Sequence, residues 1–365
     1  MSDHTLSLCM IVKDEAAMLP VFLERVRGLW DELIVVDTGS NDETIAILEA
    51  AGAKVFHQSW QNDFSRARNH SLGAATGEWV LVLDPDEHVS PEFVTQARAL
   101  LLEPRAGAAT VAMQNRLEDG HLQEEHILRM FRRYPDVQFR HAIHEDLADT
   151  LMPRLEHEGQ VLAHLDAPIL HLGYERAHAQ ARGKKERDTS LIEAVLARDP
   201  DDLYLHYKLL EQARFWGDEL LAARVAPAAM AALDRAPDSV LGHWAGELAV
   251  LAVDGVSALR PQETLLVLDR LRRRVPNSPA IACRIGELLE SMGQFEEAAI
   301  AFGDAMKAQG PLVNKKLRTI RPLMGLVRLA IARHDVDGAT AYLRSAIEMD
   351  PTDPEVAFTA GILIG

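Results

Sequence analysis

The chain has 365 residues, about twice the usual length of one domain, and 48% of them are hydrophobic, so it can bury two cores and is too apolar for a disordered polymer. Its 38 Lys and Arg stand against 55 Asp and Glu, a formal charge of -17 that repels phosphate backbones and excludes nucleic acid as an expected partner. Two cysteines, Cys9 and Cys283, exclude a disulfide framework, and no stretch approaches the roughly 20 apolar residues that span a bilayer. Residues 1–15 lack the basic start and long apolar run of a secretory signal, so the expected location is the cytoplasm, with no transmembrane segment.

From the start to about residue 102, the short apolar runs LSLCMIV, ELIVVD, AKVFHQ and EWVLVLD alternate with helical periods at Ala16–Arg27, Glu43–Ala51, Phe64–Ala75 and Pro91–Leu102. That alternation predicts βαβ units on a mostly parallel sheet, with ELIVV and WVLVL as central strands buried on both faces. Ligands meet such sheets at the carboxyl ends of the strands, so the polar residues after each strand carry the chemistry. Between about 108 and 172, TVAMQNRL, HILRMFRR, VQFRHAIHEDL and APILHLGY predict an antiparallel or mixed extension of the same sheet. The charged segment ERAHAQARGKKERD then predicts a solvated helix leading out of the first domain.

From about residue 190 onward the pattern is helical and rich in Ala and Leu. Pro200, Pro237, Pro276 and Pro351 recur at spacings of about 37, 39 and 75 residues, the last being two units, which predicts helix-turn-helix repeats. In IACRIGELLESMGQFEEAAIAFGDAMKAQG, the small residues Gly286, Ala298 and Ala305 fall where paired helices approach closely. This unit and LMGLVRLAIARHDVDGATAYLRSAIEMDP resemble degenerate tetratricopeptide repeats.

In VLVLDPDEH, Asp84 and Asp86 follow a buried strand directly. Carboxylates two apart in an extended turn can face one side and offer oxygens to a hard divalent cation, although an acidic turn is the plain alternative. After ELIVV, Asp37 stands where nucleotide-binding sheets place the acidic residue that meets ribose or base. Thr38, Gly39 and Ser40 form a tight turn, and Asp42 reads as a helix cap rather than a ligand contact.

Taken together and in order, SLCMIVKDE, IVVDTGSND, FSRARN, ATGEWVLVLDPDE and IHEDL resemble a family 2 glycosyltransferase of the GT-A type over roughly residues 5–175. The resemblance extends to bacterial transferases with a C-terminal tetratricopeptide region, and the chain departs from the usual Asp-Ala-Asp-Glu by carrying Pro85 between its two aspartates. It implies an α/β GT-A domain, a Rossmann-like mixed sheet of the nucleotide-diphospho-sugar transferase kind, at 1–175. A charged helical linker at 176–190 and an all-α tetratricopeptide-like repeat domain at 191–365 follow.

The resemblance further implies a hexosyltransferase using a nucleotide sugar, a UDP-sugar, with a Mn or Mg divalent cation. Asp37 would bind the uracil or ribose end with Arg68 nearby, Asp84 would meet ribose or metal, and Asp86 would hold the cation that bridges the diphosphate. Lys13 and Glu15 either line the same pocket or form a solvated strand end. Inverting transfer needs a base for the acceptor proton. Glu145 and Asp146 are the candidates, with neighbours on an extended chain facing opposite sides, and the resemblance favours Glu145. His171 could complete a cation's coordination, which would shift the expectation toward Mn, or it is a packing residue; His144 is expected to orient its neighbour. Arg129, Arg132 and Arg133, or Arg182, Lys184, Lys185 and Arg187, could approach the diphosphate or an anionic acceptor, the second group being equally readable as a solvated helix face.

The acceptor would be a peptide, protein or glycan, recognised with or without a protein partner through the repeats. Two other functions compete: a repeat-based interaction module with an inactive transferase domain, and a nucleotidyltransferase. The first conflicts with the joint presence of Asp37, Asp84, Asp86 and Glu145, and the second with the absence of a Gly-rich phosphate loop near the first strand.

Overall fold

The computed structural model describes residues 4–116, 122–172, 183–242, 244–256, 260–310 and 314–363. Residues 173–182, including Arg182 and the 176–182 part of the predicted linker, lie outside the described residues. The chain divides into two compact units, Met1–Leu191 and Ile192–Gly365. Among the described residues no helix is long and apolar enough to cross a membrane.

In the first unit, β1 (Leu6–Val12), β2 (Glu32–Asp37), β3 (Lys54–His57) and β4 (Trp79–Val82) are parallel, joined through α1 (Leu19–Arg25), α2 (Thr44–Ala50) and α3 (Phe64–Ala74). The sheet has eight strands in the order β3-β2-β1-β4-β7-β6-β8-β5, adding β5 (Glu87–Val89), β6 (Ala106–Arg116), β7 (Leu122–Arg132) and β8 (Val161–His171). Strand β7 is antiparallel to both β4 and β6, whereas β8 is parallel to β6, so the extension is mixed. With α4 (Pro91–Leu100) and α5 (Ala148–Glu158), the unit has the expected α/β architecture around a mixed sheet.

Both faces of the central strands are covered, as their unbroken apolar character requires. Leu8, Met10, Val35, Trp79 and Leu81 pack with Phe22 and Phe93 on one face, and Cys9, Ile34, Val80 and Val82 with Phe139 and Leu151 on the other. Gly77 precedes β4 because a Cβ there would lie 2.6 Å from Ser7 Oγ. Helix α3 starts at Asp63, whose carboxylate accepts from Arg66 N at 3.0 Å, and α4 starts at Ser90 followed by Pro91.

One local expectation is overturned. VQFRHAIHEDL forms no strand but a loop closed by the single bridge Arg140–Asp146, because His141 and His144 adopt left-handed φ of 68° and 53°. Residues Ala148–Glu158 form a helix despite Pro153 in its interior.

The second unit continues with α7 (Leu203–Trp216), α8 (Glu219–Arg235), α9 (Ala245–Gly255) and α10 (Pro261–Arg274). It ends with α11 (Pro279–Ser291), α12 (Phe295–Lys307), α13 (Ile320–Ala332), α14 (Val336–Met349) and α15 (Pro354–Leu363), while α6 (Lys184–Leu196) spans the boundary between the units. Pro200, Pro237, Pro276 and Pro351 all fall between helices, where a missing N–H does no harm. Left-handed residues Gly217, Gly293 and His334 recur at the turn inside successive helix pairs, and Asp218 and Asp335 cap the helices that follow. These are helix-turn-helix repeats that resemble the tetratricopeptide kind. Ala298 and Ala305 are fully buried between paired helices, as their size predicts.

Candidate active site

The strand order reverses direction at β1, where the chain leaves by β2 on one side and returns by β4 on the other. A crevice at the carboxyl edge of such a switch point is where open α/β sheets bind ligands. Asp37 ends β2, and Asp84 lies two residues beyond β4, so they flank β1 on this edge, about 10 Å apart by two strand spacings.

The two loops leaving β1 and β2 are knitted together. Asp14, at φ 54°, donates its N–H to Ser40 Oγ at 2.9 Å and accepts from Asn41 N at 2.7 Å. Glu15 N donates to Thr44 Oγ1 at 2.7 Å, and Asp42 accepts from Ala16 N and Thr44 N, so Asp42 serves the backbone at the start of α2. The Asp37 carboxylate accepts from the N–H groups of Gly39 and Ser40 at 3.1 Å, which makes the tight turn, and Oδ2 lies 3.6 Å from His57 Nδ1. Lys13 is exposed at the same edge. Alternation along the strands sends Asp37 to the face of Leu33 and Val35 and Asp84 to that of Val80 and Val82. The structure therefore puts them on one edge without joining them in one hydrogen-bonded cluster.

Arg68 joins what the sequence leaves separate. From α3, 4% exposed, its Nη2 donates to Asp84 Oδ2 at 2.9 Å and Oδ1 at 3.1 Å, and its Nε to Glu145 Oε1 at 2.5 Å. Burial works against the guanidinium charge, and the carboxylates of Asp84 and Glu145 more than restore it, so Arg68 stays a cation. Its ring-like plane also lies over Phe139, 5.8 Å from the centroid. Asp146 points elsewhere: its carboxylate accepts from Ala148 N at 2.5 Å and opens α5.

Asp86 and His171 form a second group. Asp86 Oδ2 is 3.5 Å from His171 Nε2, and His171 Nδ1 meets Asn115 Oδ1 at 2.8 Å, while Asn115 Nδ2 donates to Glu125 Oε1 at 2.5 Å. Because an amide oxygen can only accept, Nδ1 carries the hydrogen and Nε2 faces Asp86. Burial opposes charge on the imidazole, but the hydrogen bond and charge of Asp86, with the charge of Glu87, hold it above its ordinary value. Among the described residues no group of three or more His, Cys, Asp or Glu is arranged to hold a metal. One carboxylate and one imidazole nitrogen still fit a cation whose other positions are open.

The arginine candidates separate. Arg129 is paired through Nη2 with buried Glu87, whose Oε2 accepts from Asp84 N at 2.9 Å, so this arginine supports the Asp84–Asp86 turn from beneath. Burial pushes the Glu87 carboxyl above its ordinary range against the pull of Arg129. Arg132 pairs with Glu78 and lies 4.7 Å over the ring of Trp79, and Arg133 donates to Gly77 O at 3.0 Å. Both sit at the amino end of β4, the wrong edge for a diphosphate. In the other cluster, Lys184 is near enough to disfavour charge on His171, and Arg187 lies 5.3 Å over the ring of Phe64.

Sequence reasoning passed over Glu87, Asn115 and Asp14. Glu87 stood within DPDEH as one more acid of the run, whereas Asn115 owes its place to the pairing of β6 with β8, which aligns it with His171.

A TPR repeat-containing protein of Synechococcus elongatus is 44% identical over 205 residues, 56% of this chain and 51% of that one. The SPbeta prophage-derived glycosyltransferase SunS of Bacillus subtilis is 27% identical over 202 residues, 54% of this chain and 46% of that one, so the chain spans about half the length of these relatives. The structure of S. aureus TarS 1-349 in complex with UDP matches 74% of this chain and 91% of that chain at 15% identity with a TM-score of 0.46. Residues 7–152 match the model of glycosyl transferase family 2, a match that lies wholly within the N-terminal unit.

Proposed function

We propose that the N-terminal unit moves a sugar from a UDP-linked donor to an acceptor hydroxyl or other nucleophile, with inversion at the anomeric carbon and the help of a divalent cation. The observation that carries this reading is the buried bridge in which Arg68 binds Asp84 at the switch-point edge and Glu145 on a distant loop. The relative named a glycosyltransferase supports the same reaction class.

In this reading Asp37 meets the uracil or ribose end of the donor and Asp84 the ribose, with Lys13 and Glu15 at the rim. Asp86 and His171 would hold Mn in preference to Mg, since an imidazole ligand suits the softer ion. When bound, the cation stabilises the negative charge that gathers on the departing diphosphate. Glu145 takes the acceptor proton as the nucleophile attacks the anomeric carbon and the electron pair of the breaking bond leaves with the diphosphate. Arg68 fixes the Oε1 side of that carboxylate and leaves Oε2 for the proton. Arg129 acts through Glu87 rather than on the donor.

The helical unit would recognise a peptide, protein or glycan acceptor, or a protein partner, on its stacked helices. Both cysteines are buried free thiols, which supports a reducing, cytoplasmic setting.

The test is incubation with UDP-sugars and Mn or Mg without acceptor, following slow hydrolysis to UDP. Release of pyrophosphate would point instead to a nucleotidyltransferase, and absence of metal-dependent nucleotide binding to an interaction module.

A further inference from the structure

The loop from Phe139 to Asp146 brings Glu145 to Arg68 against its own conformational preference. His141 and His144 hold left-handed φ of 68° and 53° without being glycine, and such residues persist only where the surroundings over-determine them. The loop is closed at its base by Arg140 N to Asp146 O at 2.7 Å and the reverse bond at 3.2 Å. Three contacts from α3 hold it: Phe64 N donates to Ala142 O at 2.8 Å, Arg68 reaches Glu145, and Asn69 meets Phe139. The Asn69 contact differs in kind. Its Nδ2 donates to Phe139 O at 2.9 Å while its Oδ1 accepts from Phe139 N at 2.7 Å, so one side chain satisfies both backbone groups of one residue as a neighbouring strand would.

We propose that Asn69 is the positioning residue that sets Glu145 in the site by clamping the strained loop at Phe139. Asn69 follows Arg68 directly, so α3 fixes the start of the loop and the carboxylate near its end from adjacent positions. No other side chain reproduces the clamp: Asp keeps the acceptor and loses the donor, Leu loses both, and Gln is one methylene too long. The proposal rests on the reading of Glu145 as the base, and it assigns Asn69 no contact with donor or acceptor.

The test uses the full chain with Mn2+ and UDP-glucose or UDP-N-acetylglucosamine, following hydrolysis to UDP, in N69L, N69D, E145Q and N69L/E145Q. UDP affinity by calorimetry and amide exchange over 139–146 are measured on the same proteins. N69L is expected to lower turnover by about 10- to 100-fold, the scale set by an ångström of misplacement, with UDP affinity within about threefold of wild type. N69D should fall between, and it keeps the test open if N69L fails to fold. Exchange over 139–146 should speed up in both, and N69L should add nothing to the E145Q defect, since a residue acting only through Glu145 has no effect once Glu145 is disabled. Unchanged exchange in the Asn69 variants, or the same turnover loss in the E145Q background, overturns the clamp while leaving the base reading intact. Wild-type turnover in E145Q overturns the base reading itself, and the positioning role with it.

Discussion

Arg68 and Asp84 face each other across the carboxyl edge of the parallel sheet, with both carboxylate oxygens of Asp84 within 3.1 Å of one guanidinium nitrogen. The same guanidinium reaches Glu145 through Nε, so two carboxylates from distant parts of the chain are held by one planar, buried cation. A fork of fixed geometry can serve both at once, and a lysine cannot.

Arg68→Ala should therefore destabilise the N-terminal unit by about 3–5 kcal/mol, because it strands two carboxylates around a buried hole. Arg68→Lys keeps the charge and loses the fork, so its unfolding midpoint should recover much of that loss while turnover stays at least about 100-fold down. Equal turnover in Arg68→Lys and wild type would show that charge alone suffices.

Asp86 and His171 offer two protein donors, too few for a closed metal cage. Mn2+ alone should bind weakly by calorimetry, and saturating UDP should tighten it by about tenfold or more, with UDP tightened by Mn2+ to the same degree as linkage demands. His171→Ala should abolish most of this coupling without changing the thermal midpoint of the metal-free protein by more than a few degrees. Identical Mn2+ affinity with and without UDP would separate the metal from the diphosphate.

The parts of this site that local pattern exposes are those fixed by one strand and its end. Within β2 and β4, LIVV and WVLV are apolar at every position because both faces are buried, so Asp37 and Asp84 are recognisable as strand-end residues from the run before them. What the sequence hides depends on distant pairing or on unusual backbone. The Asn115–His171 contact exists because β6 lies beside β8, the left-handed His141 and His144 carry no glycine to mark them, and Pro153 disguises α5. Arg129 shows the same limit in reverse, since the pattern that marks it as basic does not reveal that Glu87 already holds it.

At the opposite edge, Glu32 ties the turn before β4 to β1. Its carboxylate accepts from Ser7 Oγ at 2.5 Å, Thr76 N at 2.5 Å and Gly77 N at 3.0 Å, and pairs with Lys54 at 2.9 Å. Burial opposes its ionisation, but the hydrogen bonds of Ser7, Thr76 and Lys54 outweigh it and pull the carboxyl down to about 2. A depressed folded value means stability that is complete above the unfolded value near 4.5 and lost as pH falls toward 2. Glu32→Gln should cost about 2–3 kcal/mol at pH 7, and the gap from wild type should shrink steadily below about pH 4 in denaturant titrations. A gap independent of pH would mean that the carboxylate contributes through shape alone.

In the helical unit, Phe302 on α12 is fully buried between two glycines, Gly286 on α11 and Gly325 on α13. A Cβ at Gly286 would stand 2.7 Å from the Phe302 ring, and one at Gly325 would also meet that ring inside van der Waals contact. Neither glycine adopts a left-handed φ, so their need is for space rather than for backbone freedom. Gly286→Ala and Gly325→Ala should each destabilise the unit by about 1–3 kcal/mol through overpacking, despite the better helix propensity of alanine. Phe302→Ala should cost about 3–5 kcal/mol through the cavity it leaves. The combination then discriminates: in the Phe302→Ala background the ring is gone, so Gly286→Ala should become neutral or stabilising. A penalty for Gly286→Ala that survives the loss of Phe302 would show that the helices, and not this ring, set the spacing between the repeats.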